Sequence, residues 1–279
     1  MITNHGVIIN DRKRAEMILS TVSYYRLSAY GIGLKSQIDK EKYLPGITLE
    51  HIYALYRFDS KLRNILMESI EFVEISFRTR LAYHLGIAYG PEGYRDVAHF
   101  LDKDDRNGMS IHQKMMARLD LEITHQENLP WVRHHVNVYG GHFPIWAASE
   151  LFSFGMLCSL YSVLTNRDKK KVSREFHTDP QHFYGWMMSI LELRNMCAHY
   201  NRIYNMMFKQ QPYLRPEYQQ YNGNRLFPKL LVLKDLVAPE IWAAFLKNLH
   251  ELVSQCPEAN VAFMGFPDNW MQVLMVDHS

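Results

Sequence analysis

Cysteine, glycine and proline are all scarce in this sequence of 279 residues. The three cysteines, Cys158, Cys197 and Cys256, lie far apart and form no CxxC pair, so the sequence encodes neither a disulfide framework nor a cysteine zinc site. The 14 glycines and 11 prolines, in a chain that is 47% hydrophobic, exclude collagen-like, low-complexity and disordered proteins. We therefore expect a compact globular protein that is kept in the reducing cytoplasm.

Long apolar runs and a strong net charge are missing as well. No stretch reaches the roughly 18 apolar residues of a membrane span, and the first residues lack the apolar core of a signal peptide. We expect a soluble protein that is neither exported nor held in a membrane. The 31 Lys and Arg residues against 29 Asp and Glu residues leave a charge of +2, which is too small to indicate a polyanionic partner by itself.

Helical periodicity is the dominant pattern of the chain, because apolar residues recur at steps of three and four and almost no alternating strand pattern occurs. We predict an all-α fold in a single domain, residues 1–279. The predicted helices cover residues 11–22, 48–85, 110–125, 144–164, 180–209 and 239–253. The charged face of the 48–85 helix is expected to be solvated, the basic segment 166–174 to form a turn, and residues 210–228 to form a loop.

The most informative segment is LRNMCAHYNRIYN, residues 193–205. Spacings of four and three place Asn195, His199 and Arg202 on one face of the predicted helix, with Arg194 beside them. A guanidinium, an amide and an imidazole that converge suit an anionic substrate, because they supply a fork for phosphate oxygens, an orienting donor and a proton carrier. A structural Arg and His on a helix surface would show the same spacing.

Three further segments accompany this motif: SYYRLSAY at 23–30, YRFDSKLRNILMESIEFVEISFRTRLAYHLGIAYGPEGY at 56–94, and PIWAASELFSFGMLCSLY at 144–161. With these segments in this order, the chain resembles the Abi-like family of bacterial abortive-infection proteins (the AbiD and AbiF type), within the HEPN superfamily of helical nucleases. The resemblance implies a HEPN-like helical bundle with long helices and irregular insertions, and a role in defence against phage.

The resemblance also implies roles for single residues. HEPN nucleases carry an Arg, a polar residue and then a His after four to six intervening positions, and these match Arg194, Asn195 and His199. The implied activity is a metal-independent endoribonuclease without a cofactor, in which the ribose 2′-hydroxyl attacks the adjacent phosphate. His199 would be the general base or acid, Arg194 would stabilise charge on the phosphoryl oxygens, and Asn195 would orient the phosphate or the imidazole.

Contacts to the RNA are predicted for Arg202, Asn201, Arg78 and Arg80. HEPN sites generally combine two motif-bearing helices, whereas this chain has one intact motif, so we expect a C2 homodimer that joins two copies. The near-copy Leu62-Arg63-Asn64 has Glu68 where the motif needs His, so Arg63 is expected only to decorate the helix surface.

The partners implied are RNA as substrate, a regulatory small RNA, a cognate antitoxin or a phage-derived trigger. A noncatalytic module that binds RNA or a toxin–antitoxin-type partner remains the alternative to the enzyme, while a structural scaffold leaves the Arg-Asn-His face unexplained. The histidines His134, His135 and His142 are a weak metal-binding signal without a carboxylate at a fixed step, and no metal site is predicted.

Overall fold

The computed structural model describes residues 5–275, and this part of the chain is all-α, as predicted. It contains isolated β-bridges, such as the one between Ile8 and Thr48, but no strand. The α-helices are α1 Arg12–Thr21, α2 Tyr24–Ser28, α3 Leu49–Tyr89, α4 Ile111–His125, α5 Pro130–Val138, α6 Ile145–Ala148, α7 Phe154–Val163, α8 Asn166–Arg174, α9 Pro180–Ala198, α10 Leu226–Leu236, α11 Pro239–Ser254 and α12 Trp270–Met275. None of the helices in this part of the chain has the length and apolar character needed to cross a bilayer.

Several predicted helix starts are confirmed because their capping residues act as expected. Asp11 accepts a hydrogen bond from the Arg14 amide at 3.0 Å and begins α1. Ser110 caps α4 in the same way, and Pro239 occupies the first turn of α11, where its missing N–H costs nothing. Local chemistry therefore decides where these helices begin.

The end of the long helix was predicted too early, since α3 continues through Gly86 to Tyr89. Gly86 has no left-handed conformation, and a Cβ at this position would make ordinary van der Waals contact with Ile145 Cγ2 at 3.4 Å, so the glycine does not end the helix. The prediction for 166–174 is also wrong, because these residues form α8, with Thr165 as its cap and Val172 buried.

The single helix predicted over 144–164 is wrong, because the chain breaks into α6, a 3-10 turn at Ser149–Leu151, and α7. Arg78 of α3 holds the break, since its Nε donates to Ser149 O at 3.0 Å and its Nη2 donates to Phe152 O at 3.1 Å. These long-range hydrogen bonds replace helical ones and leave no mark in the local pattern.

Two further predictions for the second half of the chain are wrong. α9 ends at Ala198 instead of Lys209, and the predicted 210–228 loop contains a 3-10 turn at Pro216–Tyr221 and the start of α10. α10 is nearly buried all round, so it lacks the apolar and polar faces by which a helix is recognised in a sequence.

The chain packs as two compact units. Among the described residues, unit 1 comprises 5–70 and 192–275, and unit 2 comprises 71–191. The boundary falls inside α3 and inside α9. The single domain over residues 1–279 stays a prediction.

Each unit has a core of its own. In unit 2, Phe77 is fully buried against Phe183 and Tyr161, with ring centroids 5.3 and 6.1 Å away. In unit 1, the first half of α3 contributes the buried residues Leu55, Leu62 and Leu66. Further buried apolar side chains come from α10 and α11. The segment 193–205 belongs to unit 1 and packs on the core of that unit.

Candidate functional site

The candidate site is built at the carboxyl end of α9. The helix ends in a Schellman motif, in which the Asn201 amide donates to Met196 O at 2.9 Å and the Tyr200 amide to Cys197 O at 3.1 Å. Tyr200 takes the left-handed conformation that this motif requires, with φ of 57°. Because α9 ends at Ala198, Arg202 lies outside the helix. The prediction that Arg202 shares a helix face with Asn195 and His199 is therefore wrong.

The three residues predicted to be catalytic lie at the carboxyl end of α9, with Arg194 and Asn195 inside the helix and His199 directly after its last residue, Ala198. His199 donates its backbone amide to Asn195 O at 3.0 Å, which places the two residues one above the other on the helix. Both side chains are exposed, whereas Arg194 is half-buried with its Nη1 3.5 Å from Asn195 Oδ1. The imidazole and the amide are therefore accessible to a substrate from solvent.

A buried carboxylate holds the loop that follows His199. Asp59 Oδ1 accepts hydrogen bonds from the amides of Ile203 at 3.0 Å and Tyr204 at 2.7 Å. Its other oxygen, Oδ2, accepts one from Tyr30 Oη at 2.6 Å and forms an ion pair with Arg63. One side chain of α3 thus ties two backbone amides of the loop to the core of unit 1.

Arg63 completes this cluster and is 4% exposed, so the prediction that it decorates the helix surface is wrong. Its Nη1 donates to Asn201 O at 3.3 Å, in addition to the ion pair with Asp59 one turn earlier. Burial raises the pKa of the Asp59 carboxyl, while the Tyr30 hydroxyl, the Arg63 guanidinium and the two loop amides oppose that shift. A buried charge with these donors fixes the loop in one position.

The SYYRLSAY segment holds the same loop from another side. Arg26 of α2 donates to Tyr200 O, and Arg202 Nη1 donates to Ala29 O at 2.6 Å. Burial lowers the pKa of Arg202, although a guanidinium stays charged at neutral pH. Three segments that are distant in the sequence therefore meet around residues 200–204.

The predicted RNA-contacting residues have different environments. Asn201 is exposed beside His199, while one guanidinium nitrogen of Arg202 is engaged by a backbone carbonyl. In unit 2, the Arg78 side chain donates to the backbone carbonyls of Ser149 and Phe152, at the break before α7. The Arg80 guanidinium lies 4.3 Å from the centre of the Phe176 ring and donates to Glu175 O. The structure brings Asn201 and Arg202 to the end of α9, and the RNA contacts of all four residues stay predictions.

Reasoning from sequence missed the residues that support the site: Tyr30, Asp59, Arg63 and Arg26. A signal for one pair was present, because Asp59 and Arg63 are four positions apart within an apolar helix. The two side chains are buried because the loop after α9 packs against α3. This contact is far apart in the sequence, since Arg63 and the loop residue Asn201 are separated by 138 positions.

Two histidines of the 134–142 segment, His135 and His142, form hydrogen bonds with other groups of the protein. His135 Nδ1 lies 3.0 Å from His142 O, and His142 Nδ1 lies 3.0 Å from a carboxylate oxygen of Glu92. Within residues 5–275, no three His, Cys, Asp or Glu side chains are grouped so that they could hold a metal ion.

The chain is similar to a known protein family. A family model described as Abi-like protein matches residues 17–205, which include the three segments that meet around the end of α9. No curated protein and no solved structure matches the chain.

Proposed function

The chain belongs to the Abi-like protein family, whose description suggests abortive infection, and we propose that it acts there as a metal-independent, HEPN-type endoribonuclease. The observation that carries this proposal is the carboxyl end of α9, where His199 and Asn195 are exposed beside Arg194. A loop that is fixed by buried charges follows this helix end at once. The proposed substrate is RNA.

The side chains suit cleavage by an internal hydroxyl. His199 would take the proton of the ribose 2′-hydroxyl as it attacks the neighbouring phosphorus, and the bond to the 5′-oxygen of the next nucleotide would break. A second imidazole or water would protonate that leaving oxygen, so the products are a 2′,3′-cyclic phosphate and a 5′-hydroxyl. Arg194 would stabilise the negative charge that grows on the phosphoryl oxygens, and Asn195 would orient them.

The buried cluster supports this chemistry by fixing geometry. Catalysis by positioned groups depends on holding them within a fraction of an ångström of the reactive arrangement. Asp59 and Arg63 hold the loop after His199 from α3, and Arg26 holds Tyr200 O from α2. A merely solvated helix end would need none of these long-range contacts.

The proposal includes a cytoplasmic homodimer. Each chain carries one motif, so a two-fold contact near His199 would bring two imidazoles together, one as base and one as acid. A phage-derived trigger, an antitoxin or a small RNA would act on this dimer.

Purified wild-type protein and a His199→Ala variant are incubated with a labelled mixed-sequence RNA in EDTA, and the product ends are identified. We expect cyclic-phosphate ends from the wild type and a rate lower by about 10²–10⁴-fold in the variant, since it lacks the proton carrier. The matched control is His125→Ala, because His125 is likewise an exposed histidine at the end of a helix, and it should cleave normally.

Two outcomes contradict the proposal. Equal cleavage by wild type and His199→Ala would remove this residue from the reaction. Tight RNA binding by both proteins without cleavage, also in extracts of phage-infected cells, would favour the noncatalytic RNA-binding module. An RNA with 2′-deoxyribose at the cleaved position should resist the wild type, because the attacking hydroxyl is missing.

A further inference from the structure

Unit 1 contains a cavity between the first turns of α3 and the end of α11. Its cavity has a volume of about 310 Å³ and is lined by three cations, Arg14, Arg57 and Lys61. None of their side chains forms an ion pair or hydrogen bond with a described residue. Two carboxylates, Glu50 and Glu258, line the same cavity, so its charged lining sums to +1. The cations are free to bind an anionic group.

The carboxylate of Glu50 is in an unusual environment. Both of its oxygens are buried, and neither accepts a hydrogen bond from any described residue. A carboxylate in such a place is costly unless donors reach it, because it has lost water without gaining partners. A ligand that carries hydroxyl or amino donors would supply them after a small shift of this side chain, which lines the cavity.

An aromatic ring adds a third kind of contact. Tyr53 lines the cavity and is stacked on Tyr56, with centroids 5.9 Å apart and an angle of 21° between the rings. A ring fixed in this way is suited to stack on a planar base. Phosphate for the cations, donors for Glu50 and a planar ring for Tyr53 are the three parts of a nucleotide.

We propose that this cavity binds a nucleotide with a free phosphate chain. Its 310 Å³ is at the small end of the usual range for ligand sites, about 300–1,000 Å³, and fits one nucleoside. A neighbouring cavity of about 260 Å³ shares Lys61 and Gln255 and is lined in addition by Asn64, Asn248 and the carboxylate of Glu251. Lys61 lines both cavities, and Arg14 and Arg57 line the first, so we place the phosphates beside these three cations in the first cavity.

This site is distinct from the candidate nuclease site. Glu50, Arg57 and Lys61 recur at steps of seven and four and share one face of α3. Asp59 and Arg63 lie on the opposite face of that helix and hold the loop after His199. The proposal therefore stands whether or not the protein cleaves RNA.

The test is isothermal titration calorimetry of the full chain with ATP, GTP, CTP and UTP in turn, followed by competition with tripolyphosphate and with the matching nucleoside. We expect saturable binding of at least one nucleotide, weakened about tenfold or more by Arg57→Ala and by Lys61→Ala. Lys247→Ala, an exposed lysine of α11 outside both cavities, should bind as the wild type does. Arg194→Ala should also leave binding unchanged.

Several results would overturn the proposal. The absence of saturable binding of all four nucleotides up to about 1 mM would do so, provided that circular dichroism shows folded protein. So would equal competition by tripolyphosphate with none by the nucleoside, because the cavity would then hold any polyanion. Loss of binding in Arg194→Ala with full binding in Lys61→Ala would move the nucleotide to the end of α9.

Discussion

The carboxylate of Asp59 accepts hydrogen bonds from the backbone of the loop that follows His199, although it lies on another helix. It is fully buried, and its charge is balanced by Arg63 at the next turn of α3. At the scale of single residues, this pair accounts for how a polar loop can rest on an apolar core. The charged groups are satisfied by each other and by backbone amides, so neither needs water.

We expect Asp59→Asn to lower the free energy of unfolding by about 3–5 kcal/mol, because it leaves the buried guanidinium of Arg63 without a counter-charge. The measurement is urea unfolding followed by circular dichroism. Glu68→Gln is the matched control, since Glu68 is an exposed carboxylate of the same helix that forms no ion pair or hydrogen bond with a described residue, and it should shift stability by less than about 0.5 kcal/mol. Equal stability of Asp59→Asn and wild type would show that the pair does not hold the loop.

Lys229 is a second buried charge of unit 1. Its Nζ lies 3.2 Å from Glu192 Oε2 and donates to Gln210 O at 2.7 Å. Burial lowers the pKa of Lys229 to about 8, against the partial compensation of Glu192. Between this value and the ordinary one of about 10.4, the unfolded chain binds the proton that the folded chain has released, so unfolding becomes less favourable as pH rises.

We therefore expect the stability of the wild type, measured relative to Lys229→Met, to rise by roughly 1–2 kcal/mol from about pH 7.5 to about pH 9.5. Urea unfolding of both proteins across this range is the measurement. The comparison with the variant cancels tyrosine and cysteine titration, which is common to both. A constant difference across the range would contradict the lowered pKa.

At the scale of elements, the end of α9 decides where the candidate site lies. Tyr200 occupies the left-handed position of the Schellman motif, which is usually filled by glycine where a helix ends in this way. Its side chain is 69% exposed, so packing does not explain the choice of tyrosine. The strained residue directly follows His199, at the point where the chain leaves the helix.

We expect Tyr200→Gly to be more stable than Tyr200→Ala by about 1 kcal/mol, because both remove the ring and only glycine adopts the left-handed conformation without cost. Urea unfolding of the two variants measures this difference. An alanine variant as stable as the glycine variant would mean that the turn does not need the left-handed conformation.

Side chains of α3 take part in the candidate nuclease site, in the proposed nucleotide cavity and in the break before α7. Its first half carries Asp59 and Arg63 toward the loop and Arg57 and Lys61 toward the proposed nucleotide cavity. Its second half carries Arg78, which holds the break before α7. A helix of 41 residues can serve these tasks because its faces point in different directions along its whole length.

At the scale of the whole molecule, the proposed activity depends on a second copy of the chain. We expect sedimentation equilibrium at micromolar concentration to give twice the 32.9 kDa mass of one chain. His199→Ala should keep this mass, because an exposed imidazole contributes little to a contact of adequate area. A wild type that remains monomeric while it cleaves RNA would show that one motif is sufficient.

The fold class, the starts of six of the twelve α-helices in residues 5–275 and the candidate catalytic residues follow from the sequence alone. Periodicity and capping are local, so Asp11, Ser110 and Pro239 mark their helices within a few residues. The motif at 193–205 stands out by its residue types and their spacing, although the sequence places it inside a helix that in the structure ends at Ala198.

How α9 ends, why the 144–164 segment breaks and which charges are buried depend on tertiary contacts. Arg78, Asp59 and Arg63 act on backbone groups between 71 and 145 positions away. Hydrogen bonds over such separations depend on how helices pack, and no local pattern of apolar and polar residues records them. For this reason Arg63 looks like a surface residue in the sequence and proves to be part of the support of the candidate site.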